Sequence, residues 1–265
     1  MLDLPVPLPP GTSYVRIPRS KAATMRCILE TVQRGSRHWT GGVIPTEKVL
    51  RLADKFAVRY GTDARTGKRA WAKAHGRANS TWILYPEDEQ ALTPLRWWLL
   101  VTPGSGAVHQ EERLKDTWDK HQRLRWGEQY ELTHLQRDRH YGGGRRWTWQ
   151  LTEARYAEIE ASMRQYASGH GQPSAERVDD LARLIVAIRR MPGFHGIRLQ
   201  QRALYTLGKT CWARTHRGEY SGWPTKIPYV DKHEPVYHRP HPLTLDTLVR
   251  VYERLNRKSV QGDEP

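Results

Sequence analysis

The stretch VQRGSRHWTGG brings Arg34, Arg37 and His38 within five residues, one helical segment after Arg26. An imidazole near its ordinary pKa can take or give a proton around neutral pH. Guanidinium groups beside it stabilise the extra negative charge of a pentacoordinate phosphorus. Together these types fit metal-free RNA cleavage. A base activates the 2′-hydroxyl, cations hold the phosphorane, and an acid protonates the leaving oxygen. Arg26, Arg34, Arg37 and His38 are therefore the candidate catalytic residues. The same cluster also fits a plain anion contact. His216, between Arg214 and Arg217 in WARTHRGEY, is a similar set.

A second group of residues suits binding rather than chemistry. HQRLRWGEQY carries Arg123, Arg125 and Trp126, and QRDRHYGGGRRWTW carries Arg137, Arg139, Tyr141, Arg145 and Arg146. Glycines let a backbone approach phosphate closely, and flanking arginines add charge-assisted hydrogen bonds. On an alternating strand Trp147, Trp149 and Leu151 share one face, so Trp149 is expected in the core while the arginines bind. Lys48, Arg51, Lys55 and Arg59 form a basic stripe on a helix, which fits either a phosphate track or a solvated face. Arg198 and Arg202, with Gln200 and Gln201, open a helix after the turn around Gly193 and Gly196. Arginine and glutamine there read guanine and adenine edges in helix–turn–helix proteins; an αα-hairpin held by its own core is the alternative.

The bulk composition points to the same class of partner. Of 265 residues, 43 are Lys or Arg against 28 Asp or Glu, a net charge of +15. Only 11 of the basic residues are lysine, leaving 32 arginines. A GC-rich genome produces the same bias, but arginine also matches phosphates and stacks on bases. With 11 Trp and 12 Tyr but 2 Phe, the aromatics are those that stack and hydrogen-bond together. A polyanion partner with salt-dependent affinity is expected.

Several classes lack their signatures: there is no Walker loop, dinucleotide fingerprint, nucleophile elbow or CxxC pair. The acids are not clustered for a two-metal nuclease, and Cys27 and Cys211 make neither a disulfide framework nor a zinc site. HRPH, His238 to His241, has ligand types but no third ligand in view. No metal and no cofactor are expected. The N-terminus lacks the pattern of a signal peptide, and WWLLV and LIVAI are too short to span a bilayer, so a cytoplasmic protein with no membrane partner is expected.

The elements that must position these residues follow from periodicity. Residues 1–13 read as a proline-rich lead-in and SYVRIP as a short strand. Ser20 caps a helix over KAATMRCILETVQRG whose Met25, Ile28, Leu29 and Val32 share a face. RHWTGGVIP reads as a loop, TEKVLRLADKFAVRYG as a helix, and DARTGKRAWAKAHGRAN as a basic loop or short helix. STWILYP and LRWWLLV read as central strands, and AVHQEERLKDTWDKHQ as a charged helix. EQYELTHLQRDRHY and RWTWQLT read as a strand pair around the glycine tip. Helices are expected from Thr152, after a Ser174 cap, over HGIRLQQRALYTLGKTCWARTH, and after a Thr244 cap. The expectation is an α+β fold: a ferredoxin- or RNA-recognition-like sheet domain over 1–152, then a mainly helical region over 153–265 with a proline- and aromatic-rich loop.

An opening strand and helix with basic residues, such a sheet, the glycine-rich basic loop at Gly142–Gly144, an appended helical region and a high pI together resemble the repeat-processing endoribonucleases of CRISPR systems, the plasmid-borne type IV versions in particular. The resemblance implies metal-independent cleavage of a CRISPR repeat hairpin, with the crRNA retained in an effector complex with other protein subunits. Two features depart from that family. Its glycine-rich loop usually lies near the C-terminus, and its histidine often lies on the first helix, which has none here. His38 or arginines alone would then carry catalysis. The competing expectation is a non-catalytic DNA-binding replication or transfer accessory protein of a plasmid or integrative element; a third is a structural RNA-binding subunit.

Overall fold

The computed structural model describes residues 15–136, 142–168, 175–231 and 233–262. The lead-in 1–13, the candidate residues Arg137, Arg139 and Tyr141, and the Ser174 cap lie outside them. The chain is a mixed α+β protein with antiparallel sheets, an N-terminal sheet region and a helical region after it. It forms two compact units: residues 1–122 with 233–265, and residues 123–232. A single cut at residue 152 falls inside the second unit.

In the first unit, α1 (Lys21–Gln33) begins at Ser20, whose Oγ accepts the Ala23 N–H at 3.2 Å. It buries Met25, Ile28 and Val32, the expected face. The sheet follows, with β1 (His38–Ile44), α2 (Val49–Tyr60), α3 (Thr66–Ala74), β2 (Ser80–Pro86), β3 (Leu95–Val101), α4 (Ala107–Glu111) and β4 (Lys115–Asp116). Its order is β2-β3-β1-β4, every pair antiparallel. That is the split β-α-β-β-α-β connectivity of ferredoxin-like folds. The core strands β2 and β3 bury most of both faces, including Leu84, Trp98, Leu99 and Leu100. Phe56 of α2 meets the rings of Trp82 and Trp97 edge-on, seating the helix on that face.

Three sequence expectations are corrected here. HWTGGVI is a strand, not a loop. Gly41 and Gly42 are there for room: a Cβ on Gly41 would lie 2.7 Å from the Trp97 carbonyl oxygen, and one on Gly42 would meet the Trp97 ring at 3.3 Å. The described part of SYVRIP, residues 15–18, is not a sheet strand. It makes a single bridge, Arg16 to Thr244, and its backbone bonds to the C-terminal segment. The charged helix stops at Glu111. The Asp116 and Asp119 carboxylates accept the Trp118 and His121 N–H groups two residues on, and such local bonds compete with a helix.

The second unit is a three-stranded antiparallel sheet, β5 (Arg125–Trp126), β6 (Tyr130–Gln136) and β7 (Arg145–Leu151), with α5 (Glu153–Ala167), α6 (Ala175–Arg189) and α7 (His195–Thr215). Thr152 caps α5, accepting the Arg155 N–H while donating its own hydroxyl to the Glu128 carbonyl at 2.7 Å. α7 lies against β7 so closely that a Cβ on Gly196 would stand 2.6 Å from the Trp149 carbonyl oxygen. Trp149 is fully buried. The last helix, α8 (Leu245–Gly262), belongs to the first unit.

Candidate nucleic-acid interface

The sheet of the first unit places His38 at the start of β1, opposite Val101 on β3 and Asp116 on β4. The His109 ring, on α4, stands edge-on to it at 5.0 Å between centroids. His109 is itself held by a 3.1 Å contact between Nε2 and the Thr102 carbonyl. His38 is half-buried and its Nδ1 has no hydrogen-bond partner among the described residues. Burial first, and then the neighbouring His109, lower its pKa, so the ring is neutral at pH 7. Arg37 is exposed and grips Asp116 through both carboxylate oxygens, Nη2 at 2.6 Å and Nε at 3.0 and 3.1 Å. That grip holds the Asp116 carboxyl below the usual carboxylate range.

The four catalytic candidates thus separate into two pairs. Arg37 and His38 meet at Asp116 and His109. Arg26 and Arg34 meet at Glu30 of α1, at 3.6 and 3.0 Å, and Arg26 also donates to the Glu234 carbonyl at 2.6 Å. Arg26 and Arg34 are therefore engaged with α1's own acid and the C-terminal segment. His109 and Asp116 lie 71 and 78 residues beyond His38 and carry no local motif. Only the β3–α4–β4 crossover brings them in.

The basic stripe of α2 is partly neutralised. Lys55 pairs with Glu112 at 2.6 Å, and Arg59 with Glu111 at 2.7 Å. Lys48 and Arg51 are exposed and form no ion pair among the described residues.

In the second unit the glycine hairpin buries Trp149, as expected, and exposes Arg145 and Arg146. Gly142, Gly143 and Gly144 all have positive φ, +89°, +60° and +73°, a run that L side chains rarely adopt. Arg145 and Arg146 leave the turn exposed, opposite Gln136 and Leu135. Trp147 stacks on His134 at 5.0 Å, and Trp149 is core. Arg123 is ion-paired to Glu131, a buried carboxylate that also accepts from Gln150 at 2.8 Å. Arg125 is exposed and Trp126 half-buried, side by side on β5.

Three of the residues suited to read base edges, Arg198, Gln200 and Gln201, face inward. Gln200 bonds both the N–H and the carbonyl of Leu151, at 2.7 and 3.2 Å. Gln201 is fully buried on the Ile188 carbonyl, and the Gly196 N–H donates to the Thr148 hydroxyl. Arg198 is buried, with its guanidinium over the Tyr229 ring, while Arg202 one turn later is exposed. The start of α7 is bonded to β7 and is not presented as a groove-reading helix. His216 stacks flat on Trp212, 3.8 Å between centroids, as part of a local aromatic cluster.

Among the described residues no group of three or more His, Cys, Asp or Glu side chains is placed to hold a metal, and no helix is long and apolar enough to cross a membrane. Comparison of the chain with protein-family models, with curated proteins and with solved structures returned no match.

Proposed function

We propose that this chain binds structured RNA and cleaves it without a metal ion, with His38 as the proton-accepting group. The observation that carries the reading is the neutral His38 imidazole beside His109, with the Arg37–Asp116 pair on its flank. A neutral imidazole takes the 2′-hydroxyl proton as that oxygen attacks phosphorus. The bond from phosphorus to the 5′ oxygen breaks, and the departing oxygen takes a proton from His109. The products are a 2′,3′-cyclic phosphate and a 5′-hydroxyl. Arg37 is exposed and cationic, so it can turn from Asp116 towards the phosphorane oxygens.

The net charge of +15 supports a nucleic-acid partner. The exposed Arg145–Arg146 tip, Arg125 with Trp126, and Lys48 with Arg51 are the contacts through which the two units engage it. A CRISPR repeat hairpin is the RNA that the family resemblance names. Retention of the product crRNA in a cytoplasmic effector complex is the role that follows from it.

The test is incubation of hairpin RNA with the protein in EDTA, beside the same RNA carrying a 2′-deoxy nucleotide at the cut site. Cleavage of the first and none of the second is expected. Cleavage that requires added Mg²⁺ would sink the mechanism. Tight, salt-dependent binding of duplex DNA with no cleavage of either RNA would move the reading to the DNA-binding accessory protein.

A further inference from the structure

The second unit contains a cavity of about 760 Å³, within the usual range for small-molecule sites. Five cations line it: Arg189 at the end of α6, Arg198, Arg202 and Lys209 along α7, and Lys226 in the following loop. No carboxylate lines it, and none of the five forms an ion pair among the described residues. Arg198, Arg202 and Lys209 are spaced i, i+4 and i+11, within about 40° of one another around the helix and spanning roughly 16 Å along it. The loop is held in register because the Val230 N–H donates to the Gly193 carbonyl at 3.3 Å, with no room for a side chain at Gly193 against Pro228.

Arg198 is the informative member. It is 8% exposed, it lines the cavity, and its Nε–H is buried with no hydrogen-bond partner among the described residues. A buried guanidinium donor without an acceptor is costly unless a ligand supplies one. Its one described neighbour of note is the Tyr229 ring, 3.1 Å from the guanidinium carbon to the centroid. Tyr229 is 71% exposed, so its ring remains open to a second flat group. Cations in a row with an aromatic ring at one end match phosphates joined to a base.

We propose that this cavity binds the terminal phosphate or oligophosphate of a nucleotide, with the base on Tyr229 and the phosphates along Arg198, Arg202 and Lys209. The nucleotide is either free or the 5′ end of a nucleic-acid chain. This site is independent of RNA cleavage: His38 and His109 belong to the other unit and take no part.

Calorimetric titration of the full chain tests it, using tripolyphosphate, ATP, and one trinucleotide in 5′-phosphorylated and 5′-hydroxyl forms. The phosphorylated form should bind at least about tenfold tighter than the hydroxyl form, the effect of one charge-assisted contact. The double variant R202A/K209A alters two exposed side chains and should erase that difference while retaining its circular dichroism spectrum. Binding of ATP with no preference between the trinucleotides assigns the site to a free nucleotide; the reverse assigns it to a chain end. Equal affinity for both trinucleotides with no heat from ATP or tripolyphosphate overturns the proposal. So does a phosphate preference unchanged in R202A/K209A.

Discussion

His38 titrates in a setting that resists protonation, and this has two measurable consequences. Its pKa lies below the ordinary value of about 6.5 through burial and the adjacent His109, with Asp116 opposing. If it is the base, the fall of cleavage on the acid side should set in only below pH 6.5. H38A should slow cleavage by at least about 100-fold while leaving the RNA dissociation constant nearly unchanged. A rate in H38A within a few fold of the native chain would remove His38 from the mechanism. The same shift bears on stability. The unfolded chain binds the proton more readily than the folded one, so the His38 contribution is whole above pH 6.5 and declines as pH falls below it. Thermal melts from pH 7.5 to 5.5 should show a smaller decline in H38N than in the native chain. Arg145 and Arg146 carry a different expectation. Both are exposed and neither is ion-paired among the described residues, so R145A/R146A should lower the slope of log affinity against log salt by about 1.5–2 without changing the melting temperature. An unchanged slope would mean that the hairpin tip does not touch phosphate.

At the scale of elements, the hairpin tip depends on how β7 is clamped beneath α7. Trp149 is fully buried, and Gly196 lets the backbones of α7 and β7 approach. W149A should cost about 3–5 kcal/mol, as large core truncations do. G196A should also destabilise the protein, although alanine is intrinsically the better helix residue by about 1 kcal/mol, because its methyl group would meet the Trp149 carbonyl. Urea melts would show this, and a G196A midpoint at or above the native one would contradict the close contact. The same logic explains β1. Two glycines in HWTGGVI read as a loop until the Trp97 ring is seen over Gly42; a strand with no side chains at two positions is stabilised by an aromatic neighbour on the next strand. No local pattern carries that information, since Trp97 is 55 residues away.

At the scale of the whole chain, the C-terminal segment returns to the first unit. The Ile17 N–H donates to the Leu243 carbonyl, the Leu245 N–H to Val15, and the Arg19 N–H to Val236, while Arg26 holds Glu234. Removal of residues 233–265 should therefore unfold the segment before β1 and loosen α1, seen as new proteolytic cleavage between residues 15 and 35. Protection of that segment in the truncated chain would refute the dependence. Much is legible before folding: α1, α2, α5, α6, α7 and α8, the strands β2, β3, β6 and β7, the burial of Trp149, and the net charge of +15. Helical and strand periods, caps and net charge are local or additive, so they survive without a fold. The fold alone brings Arg26 to the Glu234 carbonyl, joins His109 and Asp116 to His38, and buries Arg198 in a cavity shared with four other cations. Those facts depend on pairings across tens to hundreds of residues, and on whether a charge meets a carboxylate or an open cavity once the chain has closed around it.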